Sequence, residues 1–301
     1  MSKRHIVFVP GKNPKPPADL HQNLLWQTLV EGVRRVEPDV AEDLVKHDEY
    51  FKFINWNYSY YQSREDIEAH RPWVEKMLEK GGPSDTDIRQ ATAWRHRLDM
   101  FMYNTVDSSP VLLRLLRGKL KETAQDTNRY FENEKKIASH IREQLKEELR
   151  PLLENGDKVL LIGHSMGSII SYDTLWALSN LEHLPGKVDL FLTLGSPLGM
   201  NYVQSRLMGH HMTDEHKYPS NIRYWINIAA DGDLIALDRF LVNDYKRMVE
   251  LKLLDAIEDQ SEGVYNYFHD EDGLNCHRSY GYLINHRVSQ VIANWWQSTE
   301  S

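Results

Sequence analysis

The chain has 301 residues and a net charge of −8, with 36 Lys and Arg against 44 Asp and Glu. That balance speaks against non-specific nucleic-acid binding, which needs clustered Lys and Arg, and 41% apolar with 27% charged residues is the composition of an ordinary globular protein. The single cysteine, Cys276, rules out an intrachain disulfide; the opening apolar run breaks at Pro10, too short for a signal peptide, and no run approaches a bilayer span, so a cytoplasmic location is expected.

Short apolar runs without polar alternation predict buried parallel strands, covered on both faces. In chain order they are Ile6-Val7-Phe8-Val9, then Phe51 to Trp56, Val159-Leu160-Leu161-Ile162, 188–194 and 222–228. A sixth, Val264 to Phe268, is more polar and reads as an edge strand. Helical patterns lie between them. Leu20, Leu24, Leu25, Leu29 and Val33 share one face over 20–36, and Tyr130, Ile137, Ile141, Leu145 and Leu149 share another over 129–150. The stretch after Gly167 and the final stretch, 288–296, are also helix-like. Strands alternating with helices predict an α/β fold, a mostly parallel sheet of at least six strands with helices on both faces.

One region breaks this rhythm. Residues 57–128 contain no good strand. Ser84-Asp85-Thr86-Asp87 has the form of a capping box, ahead of a helical face with Ile88, Ala91, Trp94, Leu98, Phe101 and Met102. Ser109-Pro110 precedes a second apolar helix over 111–117. This reads as a helical cap inserted in a single 1–301 domain. Its apolar residues, Trp94, Phe101, Met102, Leu112, Leu113 and Leu116, exceed what two helices can hide alone, so the cap is expected to roof the strand C-termini.

Gly163-His164-Ser165-Met166-Gly167 fits G-x-S-x-G. A buried strand precedes it and a helix start follows. In that setting it resembles the nucleophile elbow of the α/β-hydrolases, in which a serine stands on a strained strand-to-helix turn. Glycine two residues either side avoids clashes in so tight a turn.

The resemblance implies that an acid and then a base follow the serine in the chain. The strand 222–228 runs into Ala229-Ala230-Asp231-Gly232-Asp233-Leu234-Ile235. Asp231 and Asp233 are the two carboxylates there. Asp233 is preferred, because the apolar run after it can fold back and exclude water. For the base, His269, His277 and His286 fall near the last loop. His277 stands at the loop's end and is preferred. An oxyanion hole is expected from the backbone N–H of Met166 and of Gly11 or Lys12, since Pro10 cannot donate.

The resemblance extends to the lipase and carboxylesterase-like branch of that superfamily. It rests on Val159 to Gly167, Leu194-Gly195-Ser196-Pro197-Leu198, Trp225-Ile226-Asn227 leading to Asp233, and His277-Arg278-Ser279-Tyr280. Pro10-Gly11 replaces the usual His-Gly, no strand precedes Ile6, and 57–128 has no counterpart. The resemblance implies a serine hydrolase cleaving carboxylic esters with an apolar acyl or alcohol group, with no cofactor and a small-molecule ester as partner. A thioesterase, amidase or acyltransferase would use the same residues, and a non-catalytic protein that keeps the fold is a further alternative.

Other features carry less. His210, His211 and His216 with Asp214 and Glu215 are dense in metal-ligand types but lie in a polar loop; no metal is expected. Val111 to Lys119 could touch lipid, but a cap helix packed on the core is the plainer reading. Tyr58, Tyr60 and Tyr61 could line a pocket or anchor the cap.

Overall fold

The computed structural model describes residues 3–93, 126–236 and 238–298. Six strands form one sheet: β1 (Arg4–Val9), β2 (Phe51–Phe53), β3 (Lys158–His164), β4 (Val188–Leu194), β5 (Ile222–Ile228) and β6 (Ala256–Asp259). Their order is β2-β1-β3-β4-β5-β6 and every pairing is parallel. The register sets Phe8 opposite Ile162, Ile162 opposite Leu192 and Leu192 opposite Ile226.

Period-two alternation divides the strand residues between two cores. Val7, Val9, Val159, Leu161, Phe191 and Trp225 face one side. There they meet α6 (Ile137–Glu154), through Ile141, Leu145 and Leu149, and α7 (Met166–Asn180), through Ile169 and Ile170. Ile6, Phe8, Leu160, Ile162, Leu192 and Leu194 face the other. They meet α1 (Ala18–Val36), through Leu25, Leu29 and Val33, and α11 (His286–Gln297), through Val288 and Ile292. All seven residues of β3 are buried, as a central strand covered on both faces requires.

After β1 the chain runs to β2 on one side, then returns to place β3 on the other. The crevice between β1 and β3 is therefore a topological switch point, where ligands of open α/β sheets bind. Residues 10–17 and Ser165 lie at its mouth.

Several expectations need correction. The second strand ends at Phe53, and Trp56 already opens the short helix α3 (Trp56–Tyr61). The helix expected over 129–150 is two pieces. Residues 126–131 are helical, and α6 starts only at Ile137, because Asn133, Lys135 and Lys136 take positive φ of 49°, 51° and 63°. The sixth strand is not 264–268 but β6. Asn266 explains part of this. Its side chain accepts from the N–H of Phe268 (3.1 Å) and donates to the carbonyl of Arg278 (2.8 Å), local bonding that competes with a ladder. β6 holds the edge instead, and the Asp259 carboxylate accepts from the N–H groups of Leu241 and Val242 at 3.0 Å, anchoring the start of α9 (Val242–Glu250).

The stretch 57–93 is mainly helical. It holds α3, then α4 (Arg71–Leu78) and α5 (Asp85–Ala91). The capping box at Ser84 forms, with reciprocal Ser84 and Asp87 bonds of 2.9 and 3.2 Å. Trp94, Phe101, Met102 and the stretch Val111 to Lys119 lie outside the described residues. No helix among the described residues is long and apolar enough to cross a membrane.

Leu161 is fully buried in the strand that carries Ser165. Leu161→Ala is expected to lower stability by about 2–5 kcal/mol through lost contacts and a cavity. Urea denaturation of the two proteins measures this.

Candidate active site

Ser165 stands between β3 and α7 with φ 54° and ψ −126°, a conformation that L residues rarely adopt. Its N–H donates to the carbonyl of Leu194 (3.0 Å), which ties the turn to β4. A Cβ on Gly163 would sit 2.7 Å from the Cα of Ser168, and one on Gly167 only 2.1 Å from the carbonyl oxygen of Val9. The two glycines thus relieve different clashes: one against the turn's own helix, the other against β1.

The serine hydroxyl faces His277, with Oγ 2.8 Å from Nε2. Nδ1 of the same ring lies 2.8 and 2.9 Å from the two carboxylate oxygens of Asp233. These partners fix the tautomer. Nδ1–H donates to the carboxylate, and Nε2 accepts from the serine hydroxyl.

Asp233 is 2% exposed and held from several sides. The N–H of Ile235 donates to it at 2.9 Å, and the hydroxyl of Tyr282 donates to its other oxygen at 2.6 Å. Gly195 leaves room for it, since a Cβ there would fall 2.7 Å from the carboxylate. Burial pushes this carboxyl up, but His277, Tyr282 and Ile235 outweigh it and hold it below the ordinary 3.8.

The alternatives are engaged elsewhere. Asp231 pairs with Arg239. His269 lies 3.3 Å from Asp87. His286 is exposed at the start of α11. Cys276 is buried, and its thiol is pushed up to about 12 chiefly by that burial. Among the described residues no group of three or more His, Cys, Asp or Glu is placed to hold a metal ion.

Gly11 packs directly on the turn, so that a Cβ there would lie 2.8 Å from the Cβ of Ser165. Gly11 and Lys12 line a cavity of about 350 Å3 that also reaches Ser165 and His277. Met166 is the first residue of α7, so its N–H has no partner within the helix.

Three residues that the sequence reading passed over build this site. The side chain of Asn57, fully buried, donates to the carbonyls of Gly11 and Asn13, both at 2.8 Å. Trp56 Nε1 donates to the carbonyl of Pro10 at 2.9 Å. His164 Nε2 donates to the carbonyl of His277 at 2.8 Å; burial, then the neighbouring His277, hold His164 well below the ordinary histidine range, so it is neutral. The sequence hint was a polar Asn directly after Trp56, just past the apolar run that contains β2.

The parallel sheet in this strand order, with Ser165 on a strained turn at its switch point, fits a lipase-like α/β-hydrolase. The family model described as lecithin:cholesterol acyltransferase matches residues 121–214. That stretch carries β3, Ser165, α7 and β4, and stops short of Asp233 and His277. Comparison with curated proteins gave no match. Comparison with solved structures gave none either.

A carboxylate with a depressed pKa stabilises the fold above its ordinary value, and that contribution is lost as pH falls through the folded value. Tyr282→Phe removes one donor to Asp233 and the oxygen that accepts from the N–H of Ala230. It is expected to destabilise by about 1–3 kcal/mol at neutral pH. The difference from the parent should shrink only as pH falls below the ordinary carboxylate value and through the depressed value of Asp233 in the folded parent. Urea denaturation at a series of pH values from 7 downward measures both effects.

Proposed function

We propose that this protein is a serine hydrolase that cleaves carboxylic esters through an acyl-enzyme intermediate. The observation that supports this most is the unbroken hydrogen-bond chain from Asp233 through His277 to Ser165, with each link at 2.8 Å. In this reading Ser165 Oγ attacks the ester carbonyl while His277 Nε2 takes its proton. His277 then gives the proton to the leaving alcohol. Asp233 orients the ring and stabilises its positive charge. Water repeats the sequence in the second half and releases the acid.

The oxyanion formed at each step would accept from the N–H of Met166, at the positive end of α7, and from that of Gly11 or Lys12. Asn57 and Trp56 act as positioning residues, since they hold the carbonyls of the loop that presents the second donor. No cofactor takes part in this scheme. Residues 57–128 would be a cap within a single domain. An apolar acyl or alcohol group would meet Ile235 and Tyr280 in the described lining.

A second reading is acyl transfer to an alcohol in place of water. The description of the matching family favours it. The first half-reaction is the same, so added alcohols that divert the acyl group into a new ester would reveal it.

Ser165→Ala is expected to lower kcat/KM for a p-nitrophenyl ester by on the order of 10⁴ or more and to abolish labelling by a fluorophosphonate. Near-normal turnover by the folded variant would refute the scheme. Asn57→Ala should act on positioning instead. We expect kcat to fall about tenfold to a hundredfold with little change in KM, as loss or misplacement of an oxyanion donor does. Steady-state kinetics on the same ester separates the two effects.

A further inference from the structure

The cavity beside Ser165 holds an electrostatic imbalance. Lys15 and Arg278 both line it. They lie close enough for the guanidinium to depress the ammonium. Among the described residues neither makes an ion pair. Lys15 Nζ donates to the carbonyl of Lys12 at 2.6 Å. Arg278 reaches the ring of His70 and stands over the face of Phe268. The carboxylate whose charge reaches both cations is Glu65, and His70 engages it at 2.7 Å.

Two neighbouring cations without an ion pair are unfavourable in a partly enclosed space. Lys15 keeps some surface open to the cavity, yet enough protein surrounds it that burial, followed by Arg278, pulls its ammonium down to about 7. The floor beneath them is neutral. His21 and His70 are 2% and 3% exposed, and burial holds both below the ordinary histidine range. His21 Nδ1 is buried with no hydrogen-bond partner among the described residues. Asp270 is the carboxylate in the lining, but it is occupied locally. It accepts from the Asn275 amide at 2.6 Å and from the N–H of Asp272 at 3.1 Å.

We propose that Lys15 and Arg278 form an anion-binding end of this cavity, and that the ester cleaved at Ser165 carries a carboxylate or phosphate within reach of both. The proposal rests on the hydrolase reading above. A guanidinium offers paired donors that match a carboxylate or phosphate. The ammonium adds a second charge, and a ring nitrogen of His21 is left to complete the shell. An incoming anion also removes the repulsion between the two cations, so it is favoured over a neutral group of equal size.

The test compares charged esters with neutral counterparts. One pair is p-nitrophenyl hemiglutarate and p-nitrophenyl valerate, with the anion on the acyl half. The other is 1-butyrylglycerol 3-phosphate and 1-butyrylglycerol, with the anion on the alcohol half. In at least one pair the charged ester should have the higher kcat/KM, by about tenfold or more, since one close charge pair of modest strength is worth that much. Arg278→Gln and Lys15→Gln should each reduce that ratio severalfold, and Arg278→Lys should retain part of it. A ratio of one or less in both pairs, or a ratio untouched by both Gln variants, overturns the proposal. The pair that responds tells on which half the anion sits. A measurement on the unmodified protein guards against variants that do not fold. Inorganic phosphate should slow labelling of Ser165 by a neutral fluorophosphonate more than KCl of equal ionic strength does, and equal effects overturn the anion site. If the probe does not label Ser165 at all, the hydrolase reading itself fails; labelling without any response to charge removes the anion site alone.

Discussion

The site depends on one strained turn. Ser165 can hold φ 54° only because the chain is confined on every side of it. Its N–H is bound to β4, the helix begins at the next residue, and three glycines let backbone approach where a methyl group would collide. Gly163 clears the start of α7, Gly167 clears the end of β1, and Gly11 clears the serine itself. Strain of this kind persists where surrounding structure over-determines the backbone. Here the surroundings are a fully buried strand, β3, paired on both sides and packed between two cores.

From that turn outward, the arrangement is a series of fixed dipoles. Asp233 is buried, which by itself disfavours its charge, and the fold answers with Tyr282, the N–H of Ile235 and the ring of His277. His164 is kept neutral beside them and steadies the backbone of His277. Around Asp233 and His277, burial's cost to the charged or polar group is offset by a hydrogen-bond partner. The cation pair at Lys15 and Arg278 departs from this rule, and for that reason it points to a ligand.

Much of this was legible in the sequence, and the reasons differ by element. The buried strands could be read because parallel strands lose their polar alternation, and the turn because its glycines sit at fixed distances from the serine. The edge strand could not. Val264 to Phe268 has the better β-forming residues, but the side chain of Asn266 spends its bonds on the loop, while β6 gains its place through Asp259. Spacing alone could not separate Asp231 from Asp233; Arg239, eight residues beyond Asp231, takes the former. Asn57, Tyr282 and Lys15 went unread because their partners lie far away in the chain or in loops. The contact between Asn57 and Gly11 spans 46 residues, and that between Tyr282 and Asp233 spans 49.

The bonds from Trp56 and Asn57 to the carbonyls of Pro10, Gly11 and Asn13 join two parts of the molecule at a single bracket. α3 follows β2, and the loop it clamps is the one that leans on Ser165. A displacement of α3 as a rigid body therefore drags the loop with it. Whatever shifts α3 acts through this lever on the loop packed against the serine, without having to reach the cavity.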